Sequence, residues 1–146
     1  MPDQPSPWHI TIGPWEQQRE LAQPLRLEVF VHEQQVPLEL EWDEFDAVST
    51  HALAFDPDGN PVGTGRLLPD GHIGRMAVKQ SQRQAGVGSA ILSALMHYAK
   101  DRGDQEVALN AQIQARAFYE RHCFVAEGEE FLDAGIPHIR MRHVFT

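Results

Sequence analysis

One cysteine, Cys123, stands in a chain of 146 residues. That excludes an internal disulfide scaffold and any zinc or iron–sulfur site built on several thiolates. Long apolar runs are missing as well: no stretch approaches the ~18–20 residues that a membrane-spanning helix needs. Positive charge is scarce, with 12 Lys and Arg against 21 Asp and Glu, a net charge of −9 with histidine neutral. So acidic a chain repels phosphates and anionic lipid at long range, and neither nucleic acid nor a membrane is an expected partner. The opening MPDQPSPWHI has no cationic segment followed by an apolar run, so no secretory signal is read there and a cytoplasmic location is expected. Internal repeats and low-complexity tracts are also absent.

What is present is ordinary globular material, 42% apolar and 23% charged. The length suits one domain over residues 1–146, with the proline-rich residues 1–7 as a loose arm. Trp8 to Ile12 reads as a first strand. Trp15 to Gln35 turns helical, with Leu21, Leu25 and Val29 four apart and Phe30 widening the stripe. Pro24 within that run predicts two short helices or a kink, Pro24 opening the second. Val36 to Asp46 is an acidic loop holding Trp42 and Phe45. His51 to Phe55 and Pro61 to Leu68 flank the turn cluster Asp56-Pro57-Asp58-Gly59-Asn60 and predict a hairpin. A third strand follows at His72 to Val78. Gly86 to Arg102 is the clearest helix, with Ile91, Leu92, Leu95, Met96 and Ala99 on one face and Gly103 at the C′ position. A strand at Glu106 to Asn110, a helix at about Gln114 to His122, and strands near Phe124 to Phe131 and His138 to Phe145 close the chain. The order β-αα-βββ-α-β-α-ββ is a mixed sheet with helices, α/β or α+β.

The chemistry concentrates in Met76 to Ser89, MAVKQSQRQAGVGS. A strand ends at Val78, and Arg83-Gln84-Ala85-Gly86-Val87-Gly88 leads into the amphipathic helix. Glycines in a helix's first turn let a ligand approach backbone N–H groups that have no intrahelical partner, where the macrodipole adds positive charge. That suits a phosphate or pyrophosphate, and Arg83 adds a full charge. Ile91 stands where a Rossmann fingerprint needs its third glycine, and no Gly-Lys-Ser/Thr ends a P-loop. Other constellations fail. His32-Glu33 begins like HExxH, but Val36 occupies the second histidine position. No G-x-S-x-G is present. A nucleophilic Cys123 with His122 as base is disfavoured, because neighbours at a helix end rarely face each other and a free cysteine is usually a small buried hydrophobe.

Strand, RxxGxG turn and helix, followed about 20 residues later by another strand and then AFYERHCF, resemble the GCN5-related N-acetyltransferase (GNAT) family. The stretch LRLEVFVHEQQVPLELEWDEFD is similar to that family's ElaA-like branch. The resemblance implies a mixed, mostly antiparallel central sheet flanked by helices and acetyl-CoA as co-substrate, with no metal. It implies that Met76, Ala77 and Val78 meet the pantetheine arm through main-chain groups. Arg83, Gln84, Ala85, Gly86, Val87, Gly88 and Ser89 would wrap the pyrophosphate. Gln112-x-x-Ala115-x-x-Phe118-Tyr119 matches the family's Asn-x-x-Ala-x-x-Phe/Tyr-Tyr pattern with glutamine for asparagine, Asn110 lying nearby. Tyr119 matches the tyrosine that protonates the departing CoA thiolate in many relatives. Cys123 replaces the glycine that usually follows this helix, which predicts local strain or a different cap.

The expected reaction is direct transfer of an acetyl group to a primary amine in a cleft opened near Val78 and Leu109, with a strand N–H near Met76 meeting the oxyanion. An amine of pKa ~10 must lose a proton to attack, so a base is needed. Glu33 leads as the catalytic base because the ElaA-like segment contains it; His51 and His138 are the other candidates. Glu33, Glu39, Glu41, Asp43, Glu44 and Asp46 fall in one segment with no Lys or Arg. In relatives that segment forms one wall of the acceptor cleft, so a small cationic amine is expected, with Trp42 and Phe45 packing on it. Two rival readings stay open, an acyl-CoA-binding or sensing module without transfer and an acetyltransferase for protein amines; a homodimer is compatible with each.

Overall fold

The computed structural model describes residues 7–35, 43–82 and 86–146. The expected loose arm therefore lies outside the described residues except for Pro7, as do Glu39, Glu41, Trp42, Arg83, Gln84 and Ala85.

Strands β1 (His9–Pro14), β2 (Thr50–Phe55), β3 (Pro61–Leu67) and β4 (Ile73–Val78) form one antiparallel sheet in sequence order. Strands β5 (Glu106–Gln112), β6 (Val125–Asp133) and β7 (Ile136–Val144) form a second, with β7 in the middle. The two meet at a single parallel bridge between His72 and Ala108, where the Ala108 N–H donates to the Gly71 carbonyl at 3.1 Å. Beyond it β4 and β5 share no ladder, and the sheets part like a V. A bulge bends β4 at this point. Thr64 pairs with Ala77 and Arg66 with Gly74, so Gly65 faces both Arg75 and Met76, and Arg75 takes φ 48°.

Helix α1 (Trp15–Arg26) covers one face and α2 (Val87–Asp101) the other. In α2 the expected stripe holds: Ile91, Leu92, Leu95 and Ala99 are buried, and Gly103 ends the helix at φ 102°. Its backbone comes very close to β3. A Cβ on Gly63 or Gly65 would stand 2.8 Å from an Ile91 methyl carbon, so only glycine fits there. The long helical run departs from expectation. Helix α1 passes through Pro24 unbroken, and winding changes only at Leu27, where a π-helical segment carries the chain to Glu33. The buried face is Gln18, Ala22, Leu25, Arg26 and Val29, whereas Leu21 is 43% exposed. The apolar letters suggested a face rotated by one residue, because a buried arginine does not look like core.

Arg26 is core because it is paired. Its guanidinium meets both Asp46 carboxylate oxygens at 2.7 and 3.2 Å and lies over the Trp15 ring at 5.3 Å. Asp46 sits in a short 3-10 turn (Glu44–Val48) opened by Asp43, whose carboxylate accepts from the Phe45 N–H. The chain thus continues from α1 to β2 over a buried ion pair. Among the described residues no helix is long and apolar enough to cross a membrane.

Helix α3 (Arg116–Arg121) ends in a Schellman arrangement: the Phe124 N–H donates to the Tyr119 carbonyl and the Cys123 N–H to that of Glu120. Cys123 sits at φ 69°, so of the two expectations strain is the one realised. Cys123→Gly is expected to raise stability by about 1 kcal/mol, the left-handed penalty of a side chain less glycine's added chain entropy. Urea unfolding measures it, and a midpoint that fails to rise contradicts it.

Candidate active site

The parting of β4 and β5 opens a cavity of about 540 Å3, within the usual range for small-molecule sites. Strand β4 supplies Ile73 to Met76, β5 supplies Leu109, Asn110 and Gln112, and the π-helical segment and its end supply Phe30 and Gln34. The β6–β7 turn adds Asp133, Ala134 and Ile136 to the lining. Ala134 and Gly135 take φ 53° and 76°, the positive values that a two-residue hairpin turn demands. Gln112 Nε2 donates to Gln34 Oε1 at 3.0 Å and ties β5 to the helical wall.

Tyr119 enters from α3. Its ring meets Phe118 edge-on at 5.0 Å and Phe124 at 5.9 Å, which fixes its direction. Among the described residues the hydroxyl's partner is the weakly accepting Met76 Sδ, 3.9 Å away. Burial pushes the phenol up to about 12, so it carries its proton throughout the neutral range. The result is a fixed O–H donor beside the bulged strand.

At the other end, Gly86 starts α2 at φ 91° with no side-chain cap. The first intrahelical bond runs from the Ala90 N–H to the Gly86 carbonyl at 3.1 Å, so the preceding N–H groups have no intrahelical acceptor. Val87 is buried in the core, while a Cβ on Gly88 would reach Phe118 at 3.4 Å. Ser89 Oγ lies 3.0 Å from His122 Nε2, linking this helix start to the end of α3. Burial, and next the charge of Arg121, depress the His122 pKa, which keeps the imidazole neutral at pH 7. Ala77 is buried and Asn110 exposed, while Ala115 lines the cavity beside Tyr119. The helix start fits an anionic group: N–H donors with no intrahelical acceptor, a glycine where a β-branched side chain would be strained, and no side-chain cap among the described residues. Gly86→Val is therefore expected to weaken acetyl-CoA binding by at least about tenfold, or ~1.4 kcal/mol. Calorimetric titration reads it, and an unchanged affinity in the folded variant contradicts the assignment.

The three base candidates separate. His138 lines the cavity, 8% exposed, with Nδ1 2.6 Å from the Ile136 carbonyl. A carbonyl only accepts, so Nδ1 is the donor, and the tautomer this selects places the lone pair on Nε2. His51 is buried elsewhere, its ring tilted 39° against Trp15 at 4.6 Å and donating from Nε2 to the Asp46 carbonyl at 2.9 Å. Burial depresses its pKa, and its role is structural. Glu33 is exposed and outside the cavity lining, whereas Gln34 lines it. One residue along a helix turns a side chain by roughly 80–100°, so Phe30 and Gln34 share a face that Glu33 leaves.

The expected carboxylate wall is not assembled among the described residues. Asp46 is buried between Arg26 and Arg66, and Asp43 pairs with Arg66 at 2.7 Å and Arg75 at 3.2 Å. The segment itself holds no cation, but α1, β3 and β4 bring three. Of the described acidic residues in it, only Asp43 lines the cavity. Sequence reasoning also passed over His72 and Arg66 on this wall. Arg140 Nη1 lies 3.1 Å from His72 Nε2 and Asp70 Oδ1 2.9 Å from its Nδ1; a guanidinium only donates, so Nε2 accepts and Nδ1 faces the carboxylate. The signal for Arg66 was an arginine inside a glycine-rich strand, GTGRL, but its partners are 20 and 23 residues away.

The sequence profile described as "Acetyltransferase (GNAT) domain" matches residues 16–145. A Bacillus subtilis protein named "Uncharacterized N-acetyltransferase YjcF" is 46% identical over 130 residues, spanning 86% of this chain and 92% of that one. Among solved structures, an acyl-CoA N-acyltransferase from Pseudomonas aeruginosa superposes with a TM-score of 0.83 at 32% identity, over 94% of this chain and 99% of the other. Escherichia coli ElaA superposes with a TM-score of 0.81 at 27% identity, over 92% and 98%.

Proposed function

We propose, from the premise that the chain belongs to the GNAT acetyltransferase family and is an acyltransferase, that it moves an acetyl group from acetyl-CoA directly to a primary amine of a small molecule. The observation that carries this reading is the half-buried Tyr119 hydroxyl, 3.9 Å from Met76 Sδ and holding its proton at neutral pH, in a cavity that His138 also lines. The CoA pyrophosphate would lie on the α2 start, from Gly86 to Ser89, with Arg83 to Ala85 completing the loop, and the pantetheine arm would follow Met76 to Val78. Asn110, Ala115 and Phe118 would border the thioester end.

The amine nitrogen forms a bond to the thioester carbonyl carbon while a main-chain N–H near Met76 meets the oxygen. The carbon–sulfur bond then breaks, and the thiolate takes the Tyr119 proton. His138 Nε2 removes the proton lost by the amine. Glu33 lies off the cavity and is left without that task.

Because the phenol holds its proton to about pH 12, turnover should show no alkaline fall up to pH 10. Thiol release from acetyl-CoA, followed against pH with a saturating amine, tests this. A fall centred at or below pH 10, as an unperturbed phenol would give, contradicts Tyr119 as the proton donor.

A further inference from the structure

Arg66 is 6% exposed, yet it stands on the cavity wall. Its Nη1 does all the pairing seen, 2.7 Å from Asp43 Oδ1 and 3.0 Å from Asp46 Oδ1. Its Nε is buried with no hydrogen-bond partner, the one such side-chain atom among the described residues. Nor does Nη2 bond to any described residue. The Nε and Nη2 protons point the same way, and together they form the edge of a guanidinium that matches the two oxygens of a carboxylate. Its other side is held rigidly by two aspartates, so the fork is oriented before any ligand arrives. A buried N–H without an acceptor is rare in a native protein and asks for an explanation.

We infer that the acceptor carries a carboxylate, which seats on the Nε–Nη2 edge of Arg66 while its amine reaches towards Met76. The inference rests on the transferase reading and replaces the cationic acceptor that the acidic segment suggested. Arg66 pairs with Gly74 in the ladder, two residues along β4 from Met76. Two strand residues span roughly 6–7 Å, the scale of a small amino acid. Asp43 and Asp133 on the same wall disfavour a dianion such as a phosphonate, so a single negative charge is selected.

The test uses matched acceptors: glycine, leucine, phenylalanine and glutamate, each against its α-amide, with thiol release from acetyl-CoA as the rate and thermal unfolding as the binding readout. The wild-type protein is expected to favour the acid by at least about tenfold in kcat/KM, since the amide leaves part of the fork unmet. Acids and not amides should raise Tm. Arg66→Lys keeps a charge beside Asp43 and Asp46 but loses the fork, so the acid-to-amide ratio should collapse towards one while acetyl-CoA affinity holds. If that variant fails to fold, the wild-type ratio and Tm shifts still decide. Amides turned over as well as acids, or acids that neither react nor shift Tm, overturn the inference and leave the transferase reading standing. Failure of the wild-type protein to bind acetyl-CoA overturns the transferase reading instead, and the Tm shifts then judge the carboxylate site by itself.

Discussion

Replacing Asp46 by alanine is expected to destabilise the protein by about 3–5 kcal/mol, the cost of breaking a buried ion-pair cluster by removing its central carboxylate. The Arg26 side chain is 1% exposed and that of Asp46 6%, so water cannot take over the lost contact. The His51 bond goes to the Asp46 backbone carbonyl and survives, so what is lost is the carboxylate's bonds to Arg26 and Arg66. The same pair sets a pH dependence. Burial alone would raise the Asp46 carboxyl, but the hydrogen bond and charge of Arg26, then of Arg66, hold it below the ordinary carboxylate value of 3.8. A depressed folded pKa contributes stability that is fully present above the unfolded value and is lost as pH falls through the folded one. Asp46→Asn should therefore flatten the acid limb of stability below about pH 4 as well as lowering the whole curve. Denaturant unfolding at neutral and acid pH measures both effects, and a variant as stable as wild type at pH 7 would contradict the buried pair's role.

The second large effect concerns chemistry. Tyr119→Phe is expected to lower kcat by about 10²-fold, within the usual reach of a positioned general acid, while KM for acetyl-CoA changes little. The substitution preserves the ring, so the edge contacts to Phe118 and Phe124 survive and stability should stay close to that of wild type. What disappears is the O–H whose partner in the described structure is a thioether sulfur. A donor held on so weak an acceptor loses little when a developing thiolate takes its bond. Wild-type turnover in the phenylalanine variant, under conditions where chemistry limits, would return Tyr119 to a packing role.

The contrast between these two sites explains what the sequence made legible. Strand periods, the α2 stripe, the Gly86-Val87-Gly88 start and the Phe118-Tyr119 pair are local patterns, and the element order follows from them. The Arg26–Asp46–Arg66 cluster is not local. Its members lie on α1, a 3-10 turn and β3, and each reads alone as a solvated charge. The acidic segment therefore looked like a wall for cations, until the fold brought three arginines to it. Leu21 was misplaced for the same reason: once Arg26 is neutralised it takes the buried face, and the leucine one turn back falls outside. The bulge at Arg75 was unreadable too, since a positive φ at arginine has no compositional signal. Yet the bulged stretch of β4, Arg75 and Met76, lines the cavity. At Cys123 the sequence did carry a signal, because a side chain where a helix end wants glycine forecasts strain.

The measurement that bears most directly on the account is a product balance. Wild-type protein is incubated with acetyl-CoA and a panel of primary amines, and free thiol, acetylated amine and intact protein mass are determined on the same samples. Direct transfer predicts one thiol released for each amide formed, with the protein mass unchanged and Cys123→Ala equally active. Acetyl-CoA that binds without releasing thiol to any amine, or a kinetically competent acetyl adduct on Cys123, would contradict it.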